Sequence, residues 1–299
     1  MNTPGTIVVT GASGMIGRTL CEHLLLEGWQ VRACVRHPNS FQLDGVESYR
    51  FEMPGCVPGD VFQGAQALLH CAATTQAKDL AGSQDVDVLG SRQLFDAARA
   101  GGVQRILFLS SVSSHDAAIS NYGRSKRAIE GLLDPERDLA LRLGLVLAKE
   151  GGGLFERLVS LVRKLPVIPL FGGGRQIVQP IHVQDLCRGV SLALDRTVVG
   201  TLVLADPEGL SLHSVLEEIA SRLTRRPLYL PLPYTPVLMA LGLFERLGLD
   251  LPISSENLLG LRAQQFVPAQ ADLQRLGLQL RTLGSSWDAV LSADPSEAG

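Results

Sequence analysis

Thr6-Ile-Val-Val-Thr10 runs without a gap into Gly11-Ala12-Ser13-Gly14-Met15-Ile16-Gly17-Arg18, and this stretch decides the fold. A short β-branched apolar run, a glycine turn and the start of a helical pattern stand in the order that a dinucleotide-binding turn requires. So tight a turn needs a residue tolerant of positive φ, which Gly11 supplies. Gly14 leaves room for phosphates to approach the backbone, and Gly17 lets the helix pack close to the sheet. Free N–H groups at the helix start, aided by the helix dipole, favour a pyrophosphate there. The expected cofactor contacts of the turn are Thr10, Gly11, Ser13, Gly14, Met15, Ile16 and Gly17.

Outward from this turn, strand and helix signals alternate. Apolar runs at Thr6–Thr10, Gln30–Val35, Ser48–Phe51, Ala67–His70, Arg105–Leu109 and Ala140–Leu145 read as strands. Segments of helical period lie between most of them, at Met15–Glu27, Asp85–Ala100 and Tyr122–Leu133. Strands apolar on both faces and separated by helices mean a doubly wound parallel sheet, an α/β fold. Residues 1–150 form the expected dinucleotide-binding core. Residues 151–299 read as a smaller, mostly helical substrate lobe, with elements at about 175–206 returning to the core. A helix is expected over Leu154–Leu165, another near Asp185, and a strand over Thr201–Ala205. Gly151–Gly153 and Gly172–Gly174 flank the first of these. Beyond Pro207 the pattern reads as helices with proline breaks, and Ser292–Gly299 as a frayed tail. Pro236–Glu245, apolar on nearly every side, reads as a buried helix.

Composition excludes several classes. The chain has 299 residues, 45% hydrophobic and 19% charged, which is too apolar for disorder. A net charge of −3 gives no overall electrostatic footprint for nucleic acid. No membrane span is expected, because the longest apolar stretch, Leu228–Leu251, is broken by three prolines and by Glu245–Arg246. Cys21, Cys34, Cys56, Cys71 and Cys187 are odd in number and lack a Cys-x-x-Cys pair, so neither a disulfide framework nor structural zinc is expected. With no signal peptide in the N-terminal residues, the cytoplasm is the expected location. The histidines lack metal-ligand spacing, so no metal is expected. The expected partner is a small-molecule substrate, with a homodimer left open.

The end of the second strand bears on the cofactor. An NAD site usually places an acid there for the ribose hydroxyl, but this chain has Val31-Arg-Ala-Cys-Val35-Arg36. Arg36 is suited to a 2′-phosphate, and Arg18 is a second candidate donor. NADP is therefore expected, with NAD the alternative.

Tyr122-Gly-Arg-Ser-Lys126 opens the helix after the fifth strand, and its spacing puts Tyr122 and Lys126 on one helix face. A nearby ammonium is expected to pull the phenol pKa down toward the working range. Lys126 is also placed to hold a cofactor ribose hydroxyl. Ser111 sits where the fifth strand ends, suited to polarise the oxygen on which Tyr122 acts. Ser110, Ser113 and Ser114 compete for that part. His182 and Asp185 read as a core histidine and a helix cap rather than as substrate contacts.

Together the glycine turn, the serine and the tyrosine–lysine pair resemble the short-chain dehydrogenase/reductase superfamily, most closely its extended, epimerase/dehydratase-like branch. Ile181-His-Val-Gln-Asp-Leu186 resembles the segment that leads into a late helix of that fold. The resemblance implies a Rossmann fold and hydride transfer between a nicotinamide cofactor and a carbonyl or alcohol. Tyr122 would be the acid/base, Lys126 its partner and Ser111 the stabiliser. His70-Cys71-Ala72-Ala73 resembles the family's fourth-strand motif, which implies cofactor contacts at Cys71, Ala72 and Ala73. Ser110 joins that set, as do Tyr122 and Lys126.

The chain also departs from the pattern. Asp87 stands where the family commonly has Asn, and Leu143 follows Arg142 where a proline is common. Val178 stands where nucleotide-sugar members carry a diphosphate-gripping Arg, with Arg175 the nearest substitute. The segment from Gly172 to Val183 and the apolar C-terminal part resemble an atypical branch related to an accessory subunit of respiratory complex I. Many of that branch lack the tyrosine, which this chain keeps. A nucleotide-binding scaffold without turnover and an isomerase without net redox change are therefore the alternatives to an oxidoreductase.

Overall fold

A computed structural model of the chain describes residues 4–55, 59–72, 80–149, 153–196, 198–246 and 255–292. In chain order the elements begin with β1 (Thr6–Thr10), α1 (Met15–Leu26), β2 (Gln30–Val35), β3 (Val46–Arg50), β4 (Ala65–His70) and α2 (Leu80–Ala100). There follow β5 (Arg105–Ser111), α3 (Asn121–Glu130), β6 (Leu139–Leu143), β7 (Leu145–Leu147), α4 (Leu154–Lys164), β8 (Val167–Phe171), β9 (Ile177–Val178) and β10 (Pro180–His182). The last are α5 (Val183–Asp195), β11 (Gly200–Leu204), β12 (Leu210–Ser211), α6 (Leu212–Arg222), β13 (Leu228–Leu232), α7 (Tyr234–Arg246), α8 (Ser255–Arg262), α9 (Gln270–Leu276) and α10 (Leu283–Leu291).

Seven strands form one parallel sheet in the order β11-β6-β5-β4-β1-β2-β3. The sequence order turns back at β1 and β4, so the strand carboxyl ends on either side of that switch open a crevice between outgoing connections. Both sheet faces are covered. Ile7, Val9, Leu107 and Leu109 pack with α1 and α5, whereas Val8, Leu68, Ile106 and Phe108 pack with α2 and α3. This explains why β1 is buried at every position and why its sequence shows no alternation.

The second half departs from the sequence expectation in four places. Ala140–Leu145 is not one strand. It divides at Gly144, where β7 leaves the sheet to pair with β10, because the chain there crosses Gln179 so closely that a Cβ would lie 1.8 Å from its carbonyl oxygen. Strands also occur beyond Pro207: β12 pairs with β9, and β13 pairs in parallel with β8. Residues near Ala269, Leu273 and Leu276 rejoin the main core, a return not expected so late in the chain. Finally, α7 is buried on one side only. Leu241 packs with Phe171 and Leu258, while Met239 is 72% exposed. Of the expected tail, residues 293–299 lie outside the described residues, as do Gly151 and Gly152. No described helix is long and apolar enough to cross a membrane.

Close contact at the first turn sets the position of everything around it. Gly11 adopts φ +68°, and a Cβ there would sit 2.7 Å from the Ala72 amide nitrogen. A Cβ on Gly17 would sit 2.2 Å from the Gly11 carbonyl oxygen, so the helix rests on the turn itself. Gly14 is less constrained, since a Cβ there would meet only the Gly11 carbonyl at 3.3 Å. Gly17→Ala is therefore expected to destabilise the fold by about 1–3 kcal/mol, the range for forced overpacking. Gly14→Ala should change stability far less. Urea unfolding of the two variants against the parent checks the ranking.

Candidate active site

The turn after β1 presents its helix end unblocked. No side chain caps α1, and Ser13 and Gly14 are exposed at its mouth. Gly11 N donates back to the Cys34 carbonyl and Gly14 N to Gly11, so the turn is fixed from within. Beneath it, Thr10 Oγ1 lies 2.7 Å from His70 Nδ1, and His70 Nε2 lies 2.9 Å from Ser91 Oγ on α2. His70 is fully buried against Phe95 and Phe108. Burial, and then the charge of Lys126, pushes its pKa down to about 3, so the ring is neutral. Ala72 N donates to Thr10 Oγ1 at 3.4 Å, which ties the β4 end to the same network. Met15, Ile16, Cys71 and Ala72 are half-buried around this turn. Ala73 lies outside the described residues.

At the end of β2, Arg36 is exposed and makes no ion pair or hydrogen bond among the described residues. Arg18 is differently placed. It pairs with Glu22 at 3.1 Å, donates to the Gln42 carbonyl and lies over the Phe41 ring. Its guanidinium is thus already held against the segment after β2.

Helix α3 brings the tyrosine and lysine to the carboxyl end of β5. Ser120 caps it by accepting from Gly123 N, and the Glu256 carboxylate of α8 accepts from Asn121 N. Gly123 packs against Ser113, where a Cβ would lie 2.5 Å from the carbonyl oxygen. That approach sets Tyr122 at the strand end, near enough to Ser111 for that hydroxyl to favour the phenolate. Tyr122 is 44% exposed. Lys126, only 5% exposed, donates to the Leu109 carbonyl at 2.8 Å. Its ammonium lies 4.6 Å from the Phe108 ring centre and 5.9 Å from that of Tyr122.

The electrostatics differ from the sequence expectation. Burial raises the Tyr122 pKa, with Asp87 adding to the rise and the Ser111 hydroxyl opposing it. No downward pull from Lys126 appears, because that ammonium is anchored on Leu109 below the ring. Lys126 itself is pushed down to about 8 by burial, against upward pulls from Asp87, Cys71 and Glu130. Asp87 is buried, and its charge reaches both Tyr122 and Lys126, a role that its place in the helical pattern alone did not reveal.

Three further residues are committed elsewhere. Ser110 is buried on the α3 side of β5, opposite Ser111 by strand alternation, and donates to Glu130. Its hydroxyl is thus engaged with α3. Glu130 also holds Arg142 in a two-pronged ion pair, at 3.0 and 2.7 Å. His182, not Asp185, caps α5 by accepting from Gln184 N. Asp185 instead accepts from Arg188 and Arg281. Val178 is buried, and Arg175 is exposed after the three-glycine turn.

Residues 7–204 match the NAD dependent epimerase/dehydratase family. The chain is 28% identical over 254 residues to a ceramide reductase of Caulobacter vibrioides, covering 79% of this chain and 76% of that protein. It is 25% identical to a Stigmatella aurantiaca ketoreductase of a farnesyl-bearing dihydroquinoline oxide, covering 70% of each. In fold it is similar to a UDP-glucuronic acid 4-epimerase of Bacillus cereus, with TM-score 0.73, 18% identity, and 96% and 98% coverage.

A folded-state pKa near 8 against an ordinary 10.5 means that Lys126 holds fewer protons folded than unfolded in that interval. Its contribution to stability therefore rises with pH from about 8 to 10.5. Lys126→Met should remove this rise. Asp87→Asn takes away the carboxylate that favours the ammonium, so the rise should begin at lower pH. Urea unfolding across the interval, compared between parent and variants, checks both.

Proposed function

The chain belongs to the NAD-dependent epimerase/dehydratase family, and from that premise we propose that it reduces a carbonyl on an apolar substrate, using NADPH. The observation that carries this reading is the placing of Tyr122 beside Ser111, with buried Lys126 5.9 Å from the Tyr122 ring centre, at the strand ends beside the glycine turn. The turn fits a dinucleotide on its own geometry: an uncapped helix end, an exposed Ser13–Gly14 mouth and glycines that no side chain could replace at Gly11 and Gly17. Thr10 to Gly17 would hold the pyrophosphate and Arg36 the 2′-phosphate. Lys126 would hold a ribose hydroxyl. When bound, the nicotinamide supplies or accepts the hydride.

The protein's own part is to move a proton. A raised pKa keeps the Tyr122 phenol protonated at neutral pH, which suits it to donate to a carbonyl oxygen as hydride arrives at the carbon. Ser111 can hydrogen-bond the same oxygen and stabilise charge developing there. Tyr122 is half-exposed and so open to an incoming substrate.

Two features favour an apolar carbonyl over a nucleotide sugar. Val178, where nucleotide-sugar members carry an arginine, is buried and offers no charge. The two curated relatives named above are a ceramide reductase and a ketoreductase of a farnesylated ring.

Tyr122→Phe should lower kcat for NADPH-dependent reduction of long-chain ketones by about 10²–10⁴-fold, the range for loss of a positioned acid. NADPH affinity should hold, and unchanged turnover would remove Tyr122 from this role. Arg36→Ala should raise KM for NADPH by roughly tenfold, the cost of one charge-assisted contact, while leaving NADH little changed. Equal effects on both cofactors would argue against a 2′-phosphate site at Arg36.

A further inference from the structure

Two stretches of this acidic chain, residues 157–184 and 219–244, contain no Asp or Glu. The fold brings them together. β8 and β13 pair in parallel, with Leu228 opposite Val167 and Leu230 opposite Pro169, and Leu228 N donates to the Pro166 carbonyl. Because the pairing is parallel, the two lead-ins to the ribbon enter side by side. They carry Arg163–Lys164 and Arg225–Arg226. All four cations are exposed, and none makes an ion pair among the described residues.

The ribbon they introduce is apolar on both faces. Its inner side sends Ile168 and Leu170, both under 5% exposed, into the core that α4 and α6 share, with Tyr229 packed beside them. A ribbon covered on one side ordinarily turns polar residues outward. Here the outward positions are Val167 at 42%, Leu228 at 71% and Leu230 at 50% exposure, with Leu165 just before the strand at 40%. Single exposed leucines need no explanation. A patch of neighbouring aliphatic side chains fringed by four unpaired cations does.

We infer that the β8–β13 ribbon docks the chain on an anionic phospholipid surface, with Leu228, Leu230 and Val167 entering the headgroup–acyl boundary. Arg163, Lys164, Arg225 and Arg226 meet the lipid phosphates. Aliphatic side chains combined with a basic fringe are the chemistry of interfacial binding. Nucleic acid would meet no stacking aromatic among the outward positions named. A second copy using the same patch would bring two sets of like charges together. With no described helix able to span, the attachment is peripheral. The inference stands apart from the reductase reading, and it supplies a surface on which an apolar substrate would be met.

The full chain should co-sediment with vesicles of phosphatidylcholine and phosphatidylglycerol at low salt, stay in the supernatant with phosphatidylcholine alone, and be released by added salt. Arg225→Gln/Arg226→Gln should lower the partition coefficient about 25-fold, at about fivefold per cation. Leu228→Ser/Leu230→Ser should lower it roughly tenfold or more. Both pairs are on the surface, so thermal melts should match the parent. No binding to the anionic vesicles, or parental binding by both variants, would overturn the inference. So would a leucine variant that only converts a dimer to monomer. Turnover of a water-soluble ketone without vesicles separates the two claims. The docking variants should retain it, whereas Tyr122→Phe should lose it and still bind vesicles.

Discussion

The rest of the structure depends on a steric constraint, the absence of side chains at Gly11 and Gly17. With no Cβ at Gly11, the turn after β1 closes to contact with the Ala72 amide at the end of β4. With none at Gly17, α1 sits directly on the Gly11 carbonyl. The two approaches pull the helix start down to the carboxyl edge of the sheet, at the point where strand order reverses. Thr10 and Ser91 then hold His70 from both ring nitrogens, which links the turn to α2 through a neutral side chain. Neutrality matters here, because Lys126 is already buried nearby and a second buried cation would be costly.

Helix α3 is fixed at both ends by different parts of the chain, and this gives the candidate site its geometry. At its start, Ser120 caps from within the connection and Glu256 reaches in from α8. At its finish, Glu130 binds Ser110 of β5 and Arg142 of β6. The Ser110 hydroxyl and the Arg142 guanidinium therefore serve to seat the helix, leaving Ser111 on the other side of the strand to face Tyr122. The C-terminal region thereby contributes to the acid–base geometry without touching the reacting atoms. Asp87 offsets part of the burial cost of Lys126, and in doing so it helps to keep the Tyr122 phenol protonated.

The parts of this design that were legible in the sequence are those set by local rules. β1 and β2 occupy their expected bounds, since a continuous apolar run beside a glycine turn has few other solutions. The spacing of Tyr122 and Lys126 gave their shared helix. The rest was set by distant contacts. Nothing near Gly144 signals that Gln179 will cross it and divert β7. Pro169 and Pro231 interrupt the alternation that would have marked β8 and β13 as paired strands. The direction of the Tyr122 shift depends on depth and on Asp87, neither of which spacing can report. His182 rather than Asp185 caps α5 because the histidine occupies the position before the first helical residue.

Average charge leaves local fields out for a related reason. A net charge of −3 describes the whole chain, but partners respond to fields within about a Debye length. Glu130 of α3 and Asp185 of α5 are held in ion pairs with Arg142 and Arg281. The cations before β8 and β13 have no such use and converge only because the two strands pair in parallel. A sequence whose sum excludes an electrostatic partner can therefore still build a positive surface, provided that folding brings its acid-free segments together. In this chain the same pairing that gathers the charge also turns leucines outward, so charge and apolar surface coincide on one side of the molecule.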